Sequence, residues 1–257
     1  MASSNAQGET YKKVKTILVS QPKPERSPYY DLEKKFDLQI DWRPFIHVEP
    51  LTPKEFRRQR VKIDDHTAVI FTSKNSIDHF FKVCEEARVF MSAETRYFCK
   101  TEAIANYLQK FIVYRKRKVF AGKRSLADLK NYFIRHKEEK FLLPCSNLGA
   151  KKAVAFLESI DIDWQEAMMY RTVASDLSDL EDVFYDVLVF FSPSGIESLY
   201  ENFPDFKQND TRLAIFGSQT MKAVEDRGLV VNIKAPAPEV PSMTMALKNY
   251  LNISNKN

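Results

Sequence analysis

Val187-Leu188-Val189-Phe190-Phe191-Ser192-Pro193-Ser194-Gly195-Ile196-Glu197-Ser198-Leu199 decides how this chain is read. Its unbroken apolar run predicts a strand buried on both faces, and the small polar turn after it predicts the opening of an amphipathic helix. The unit occurs twice. Val69-Ile70-Phe71-Thr72-Ser73-Lys74-Asn75-Ser76-Ile77-Asp78-His79-Phe80 repeats it, with Phe71 over Phe190, Ser73 over Ser192, Asn75 over Ser194 and Ile77 over Ile196. Two such units predict two α/β lobes. Each exposes a helix N-terminus at the carboxyl end of a strand, the edge at which open parallel sheets take ligands.

The chain has 257 residues, enough for two small domains with real cores, and the duplication favours two over one. A hydrophobic content of 44% with 28% charged residues is ordinary for a soluble globular protein and suggests neither a fibrous nor a disordered architecture. No apolar run approaches the roughly 20 residues that cross a bilayer, and Met1 to Lys13 lacks the apolar centre of a secretory signal. A cytoplasmic protein is expected, with residues 1–13 as a loose tail and no membrane partner.

Cys84, Cys99 and Cys145 have no metal-like spacing, and their odd number argues against a disulfide framework, so they are expected to be reduced and buried. His47, His66, His79 and His136 stand far apart with no His-x-x-x-His pair, so no metal site is expected. Six glycines form neither Gly-x-Gly-x-x-Gly nor a phosphate loop, which leaves no nucleotide cradle and no cofactor to predict. No Ser-His-Asp set is discernible either, against a hydrolase. The net charge of +5 suits an anionic small ligand as well as it suits no charged partner.

Strands are expected at Val14–Ser20, Arg96–Cys99, Lys140–Cys145, Arg212–Phe216 and Leu229–Ile233. Helices are expected over Tyr29–Phe36, Glu102–Lys110, Leu126–His136, Lys151–Ser159, Met221–Arg227 and Ser242–Leu251. Thr52, Pro53 and Glu55 form a capping box, and Gly228 stops a helix. Two proline-punctuated or extended stretches, Trp42–Pro53 and Met168–Ala174, suit passages between lobes. Lys110 to Arg124 is basic with Phe111, Tyr114 and Phe120 interleaved, a composition open to a nucleic-acid reading. Alternating charge on an exposed strand or loop is the commoner meaning of such a run, so no nucleic-acid partner is expected.

The order of paired units resembles uroporphyrinogen-III synthase, the cyclising enzyme of tetrapyrrole biosynthesis. The residues that carry the likeness are Phe71-Thr72-Ser73-Lys74-Asn75, Leu143-Pro144-Cys145-Ser146-Asn147-Leu148, Tyr170-Arg171-Thr172, Phe191-Ser192-Pro193-Ser194-Gly195, and Gly217-Ser218-Gln219-Thr220 with Gly228-Leu229. They span nearly the whole chain after the tail. The resemblance implies an α/β fold of two lobes, each a parallel sheet flanked by helices, joined by two extended crossings. One lobe would be 14–46 plus 174–257, and the other, 53–168, would be inserted in it.

It also implies a monomer whose cleft takes the linear tetrapyrrole hydroxymethylbilane and closes it, with loss of water and inversion of the last pyrrole ring. Helix N-termini and small hydroxyl residues suit a polycarboxylate, and catalysis would lie mainly in folding the substrate. Tyr170 falls on the tyrosine the family offers as proton donor, making it the candidate general acid; a tyrosine at a lobe junction with a wet hydroxyl is the bland reading. Candidate substrate contacts are Thr72, Ser73, Asn75, Ser146, Asn147, Ser192, Ser194, Gly195, Ser218 and Thr220, several of which have helix capping as their plain role.

One departure stands out. Cys99, Lys100, Thr101 and Glu102 replace the family's glycine-and-threonine turn, and a glutamate there repels an acidic ligand. It motivates the alternative of a two-lobed tetrapyrrole- or anion-binding sensor without turnover.

Overall fold

A computed structural model describes residues 11–256. In chain order the elements are β1 (Thr16–Val19), α1 (Tyr29–Phe36), β2 (Gln39–Trp42), β3 (Ile46–Pro50), α2 (Pro53–Arg58), β4 (Ala68–Phe71), α3 (Lys74–Ala87), β5 (Arg96–Cys99), α4 (Glu102–Leu108) and β6 (Val119–Ala121). There follow α5 (Lys130–Arg135), β7 (Lys140–Ser146), α6 (Lys151–Glu158), β8 (Asp163–Ala174), β9 (Val187–Phe190), α7 (Pro193–Asn202), β10 (Arg212–Phe216), α8 (Ser218–Glu225), β11 (Val231–Ala235) and α9 (Met243–Ser254). The chain divides into two compact units, one made by the residues up to His47 together with those from Val173 onward, the other by Val48–Thr172. The unit boundaries fall inside β3 and β8, both extended.

The first unit is a five-stranded sheet in the order β11-β10-β9-β1-β2, with every neighbouring pair parallel. Its apolar runs are buried on both faces, as a parallel sheet between helix layers requires. Ile17, Val19, Val187 and Val189 pack on one side with Leu32 of α1 and Leu247 and Leu251 of α9. Leu18, Leu188 and Phe190 pack on the other with Ile196 and Leu199 of α7 and Val224 of α8. Tyr11, just after the undescribed start of the expected tail, packs on Tyr250 with ring centroids 5.1 Å apart.

The second unit holds a sheet in the order β3-β8-β7-β4-β5-β6, whose pairs from β8 to β6 are parallel. Val69, Phe71, Tyr97 and Cys99 face Ile77 and Phe80 of α3 and Leu108 of α4. Ala68, Ile70, Phe98, Phe141 and Leu143 face Phe133 of α5 and Leu157 of α6.

Several local readings hold to the residue: α1, the Thr52–Glu55 box on α2, and the Ser242 cap on α9. Others shift. Helix α8 starts at Ser218 rather than Met221, because Gly217 sits at φ 88° and turns the chain straight into the helix. The last strand runs Val231–Ala235 rather than Leu229–Ile233. Gln208 holds both the amide and the carbonyl of Val230, at 2.8 and 2.9 Å, so those backbone groups are not free for a ladder. The basic stretch contains β6, and within it Lys118 is buried, its Nζ on Ala93 O at 2.7 Å and on Glu94 at 2.6 Å.

All three cysteines are free and buried. No helix among the described residues is long and apolar enough to cross a membrane, and no His, Cys, Asp and Glu cluster among them could hold a metal ion.

Candidate functional site

Both copies of the repeated unit build the same corner. Phe71 ends β4 and Phe190 ends β9, each fully buried, and Ile77 and Ile196 lie under the following helices, also fully buried. Ser73 is the N-cap of α3, accepting from the Ser76 amide at 3.0 Å, and Ser192 is the N-cap of α7, accepting from the Gly195 amide at 3.3 Å. The capping reading of both serines is therefore correct, and each fixes a helix whose remaining first-turn amides point off the carboxyl edge of its sheet. Asn75 and Ser194 occupy equivalent positions in the two first turns, Asn75 exposed and Ser194 half-buried.

In the first unit the corner continues at Gly195, which is buried against Phe190; a Cβ there would lie 3.0 Å from the Phe190 ring. Ser218 is exposed at the start of α8, and Thr220 is buried in its first turn.

In the second unit three chain segments converge. Tyr170, on β8, lies beside the end of β7, where Ser146 pairs with it. Its hydroxyl is 3.4 Å from Ser73 Oγ across the sheet edge. Its ring stacks on His79 of α3, with centroids 4.8 Å apart and planes 22° apart. The residue as a whole is buried, 8% exposed. Burial pushes the Tyr170 phenol above its ordinary value, so it stays protonated and able to donate through the neutral range. Burial likewise lowers His79 from the usual histidine value, and its Nδ1 is buried without a hydrogen-bond partner.

Asn147 serves the architecture. Its amide donates to Thr172 O at 3.2 Å and accepts from Thr172 N at 2.8 Å, while its backbone N–H donates to Tyr170 O at 3.2 Å. It thus clips the strand that carries Tyr170. Ser146 Oγ accepts from the Leu148 amide at 3.3 Å, and Thr72 is half-buried between Phe71 and the Ser73 cap. Arg171, next along β8, pairs with Glu55 at 2.7 Å.

The altered turn is also here. Thr101 is the N-cap of α4 but its side chain makes no cap bond, and Lys100 and Glu102 are both exposed. This helix start therefore has a carboxylate where its counterpart α8 has Ser218 after Gly217.

His79 was absent from the sequence-derived candidates. It follows Asn75 by one helical turn, and that spacing is the signal that could have placed it beside Ser73 and Asn75.

The family model described as Uroporphyrinogen-III synthase HemD matches residues 32–245. Among solved structures, a mutant uroporphyrinogen III synthase from the extremely thermophilic bacterium Thermus thermophilus superposes with a TM-score of 0.59 at 12% identity, over 95% of this chain and 100% of that one. Uroporphyrinogen-III synthetase from Helicobacter pylori gives 0.60 at 16% identity, over 93% and 99%. At such identities the structural likeness is one of fold. No curated protein matches the sequence. With its match extending over most of its length, the chain belongs to the uroporphyrinogen-III synthase family.

Proposed function

We propose that Tyr170, positioned by His79 and Ser73, is the proton donor with which this member of the family cyclises its linear tetrapyrrole. The family's reaction makes the chain a cyclising lyase of haem biosynthesis, and nothing in the fold or the family match favours the binding-only alternative.

The substrate, hydroxymethylbilane, loses its hydroxyl group as water. Tyr170 supplies the proton for that departure, and the substituted carbon of the far pyrrole attacks the resulting azafulvene; in the spiro intermediate so formed that carbon's original methylene bond breaks and re-forms at the ring's free carbon, which inverts the ring. A proton is released as the closing pyrrole regains aromaticity, and returning it to Tyr170 balances the cycle. A buried phenol that disfavours its own ionised form suits this role, because it gives up the proton only as the leaving group takes it.

Substrate carboxylates are assigned in each unit to its helix starts: Thr72, Ser73 and Asn75 with Ser146 in one, Ser192, Ser194, Gly195, Ser218 and Thr220 in the other. Backbone N–H groups there do most of the holding, with the serines ordering the turns. Asn147 acts as a positioning residue through Thr172. A monomeric cytoplasmic enzyme without a nucleic-acid partner completes the proposal, and three free, buried thiols fit a reducing compartment. The organisation into a lobe of 14–46 plus 174–257 and an inserted lobe of 53–168, after a tail of residues 1–13, belongs to the same reading.

The observation that carries the reading is the convergence of Ser73, His79 and Tyr170. Its test is the Tyr170→Phe variant, assayed for both rate and isomer. Loss of rate with the type III product retained supports proton donation. Unchanged rate removes Tyr170 from the chemistry.

A further inference from the structure

The basic stretch that the reaction does not use borders a second concavity. A cavity of about 520 Å³ opens in the second unit, floored by Phe81, Cys84, Met91, Tyr97, Phe111 and Val119. It is framed by the loop from α3 to β5 and the loop from α4 to β6, and both loops enter the amino ends of their strands. In a parallel sheet that is the edge opposite the one carrying Ser73 and Tyr170. The size and aromatic-aliphatic floor are those of a small-molecule site.

Three observations bear on what would fill it. Phe90 and Val113, on the lip, are 93% and 83% exposed, a large apolar display for two adjacent loop tips. Arg88 and Arg115 also line the cavity, both exposed, and neither forms a salt bridge among the described residues. Glu94, on which Arg115 also acts electrostatically, is paired with Lys118, whose buried side chain ties the two loops together through Ala93 O and Glu94. Glu85 is the acidic side chain of the lining, leaving cations in excess.

We propose that this cavity is a binding site for a small amphipathic monoanion, its apolar body on the aromatic floor and its carboxylate or phosphate head on Arg88 and Arg115. Guanidinium groups hold such heads by charge-assisted paired hydrogen bonds. A concave floor under the lip fits a dissolved molecule rather than a bilayer surface. Lys118, folded inward, is part of the wall.

The test uses the full chain and dodecanoate, followed by calorimetry and by displacement of the fluorescent anion anilinonaphthalene sulfonate. Saturable binding at one site is expected. Arg88→Asn with Arg115→Gln should weaken it at least ten-fold; asparagine suits the left-handed backbone at residue 88, where φ is 57°, so the fold should survive. Phe90→Ser, an exposed change, should weaken it several-fold. Dodecyltrimethylammonium, with the same chain and the opposite charge, should not compete. The proposal is overturned by equal binding of that cation, by unchanged affinity in the arginine variants, by absence of saturable binding, or by binding to phosphatidylglycerol vesicles without binding of monomeric dodecanoate.

Discussion

Ser73 Oγ and the Tyr170 hydroxyl lie 3.4 Å apart although 97 residues separate them in the chain. The contact joins a helix cap, whose position is fixed by the repeated strand-turn-helix unit, to a phenol on β8 that burial keeps protonated. Replacing Tyr170 by Phe removes the proton donor and leaves the packing nearly whole. Turnover should fall on the order of 10²-fold with isomer identity kept. In the wild type the alkaline limb of the rate profile should lie above that of a free tyrosine: a folded-state value raised above the free one keeps the donor intact until pH passes that higher value.

His79 sets the plane of the Tyr170 ring by stacking on it. His79→Phe keeps a flat ring there and should retain most of the activity, whereas His79→Ala should lose much of it, on the order of ten-fold. A role in proton transfer would instead make both variants equally poor. Comparing the two turnover numbers at one pH separates the possibilities.

Gly195 leaves little room for a side chain beside the fully buried Phe190. In Gly195→Ala the new methyl would approach the Phe190 ring to 3.0 Å, so Phe190 or the start of α7 must move. A loss of about 1–3 kcal/mol in unfolding free energy is expected, measured by urea denaturation. A raised KM should accompany it if that helix start holds substrate.

Burial pushes Cys84, Cys99 and Cys145 up to about 12. At pH 8 a thiol-disulfide reagent should label none of them in the native protein and all three after unfolding. Their folded values exceed the unfolded ones, so the native state holds extra protons in alkali. Stability should therefore decline as pH rises beyond about 9 and on through 12.

Glu55 is held down to about 2 by hydrogen bonds from Thr52 and then by Arg171. Its contribution is present above the ordinary carboxylate range and is lost as pH falls through about 2. Carbon-detected NMR titration should find this carboxyl ionised at about pH 3, and Thr52→Ala should raise its midpoint.

What the sequence disclosed was local. The repeated units, the Ser73, Ser192 and Thr52 caps and the Gly228 stop, with φ 71°, each depend on residues within one turn of each other. The pairing of Ser73 with Tyr170 is set by strand order, β8-β7-β4, which periodicity does not encode, so the family resemblance and not the pattern singled out Tyr170. The three-residue strand β6 was hidden because its flanking lysines and arginines look like a solvated run, whereas Lys118 folds its apolar stem inward and places its charge on Glu94. Asn147 shows the reverse case, a polar turn residue suited to ligand whose amide is committed to Thr172.

The most direct measurement is the isomer composition of the uroporphyrinogen formed when purified protein meets hydroxymethylbilane. Rapid and predominant type III product is expected, with the uninverted type I ring confined to what forms without protein. Type I product alone, at the spontaneous rate, would contradict the account.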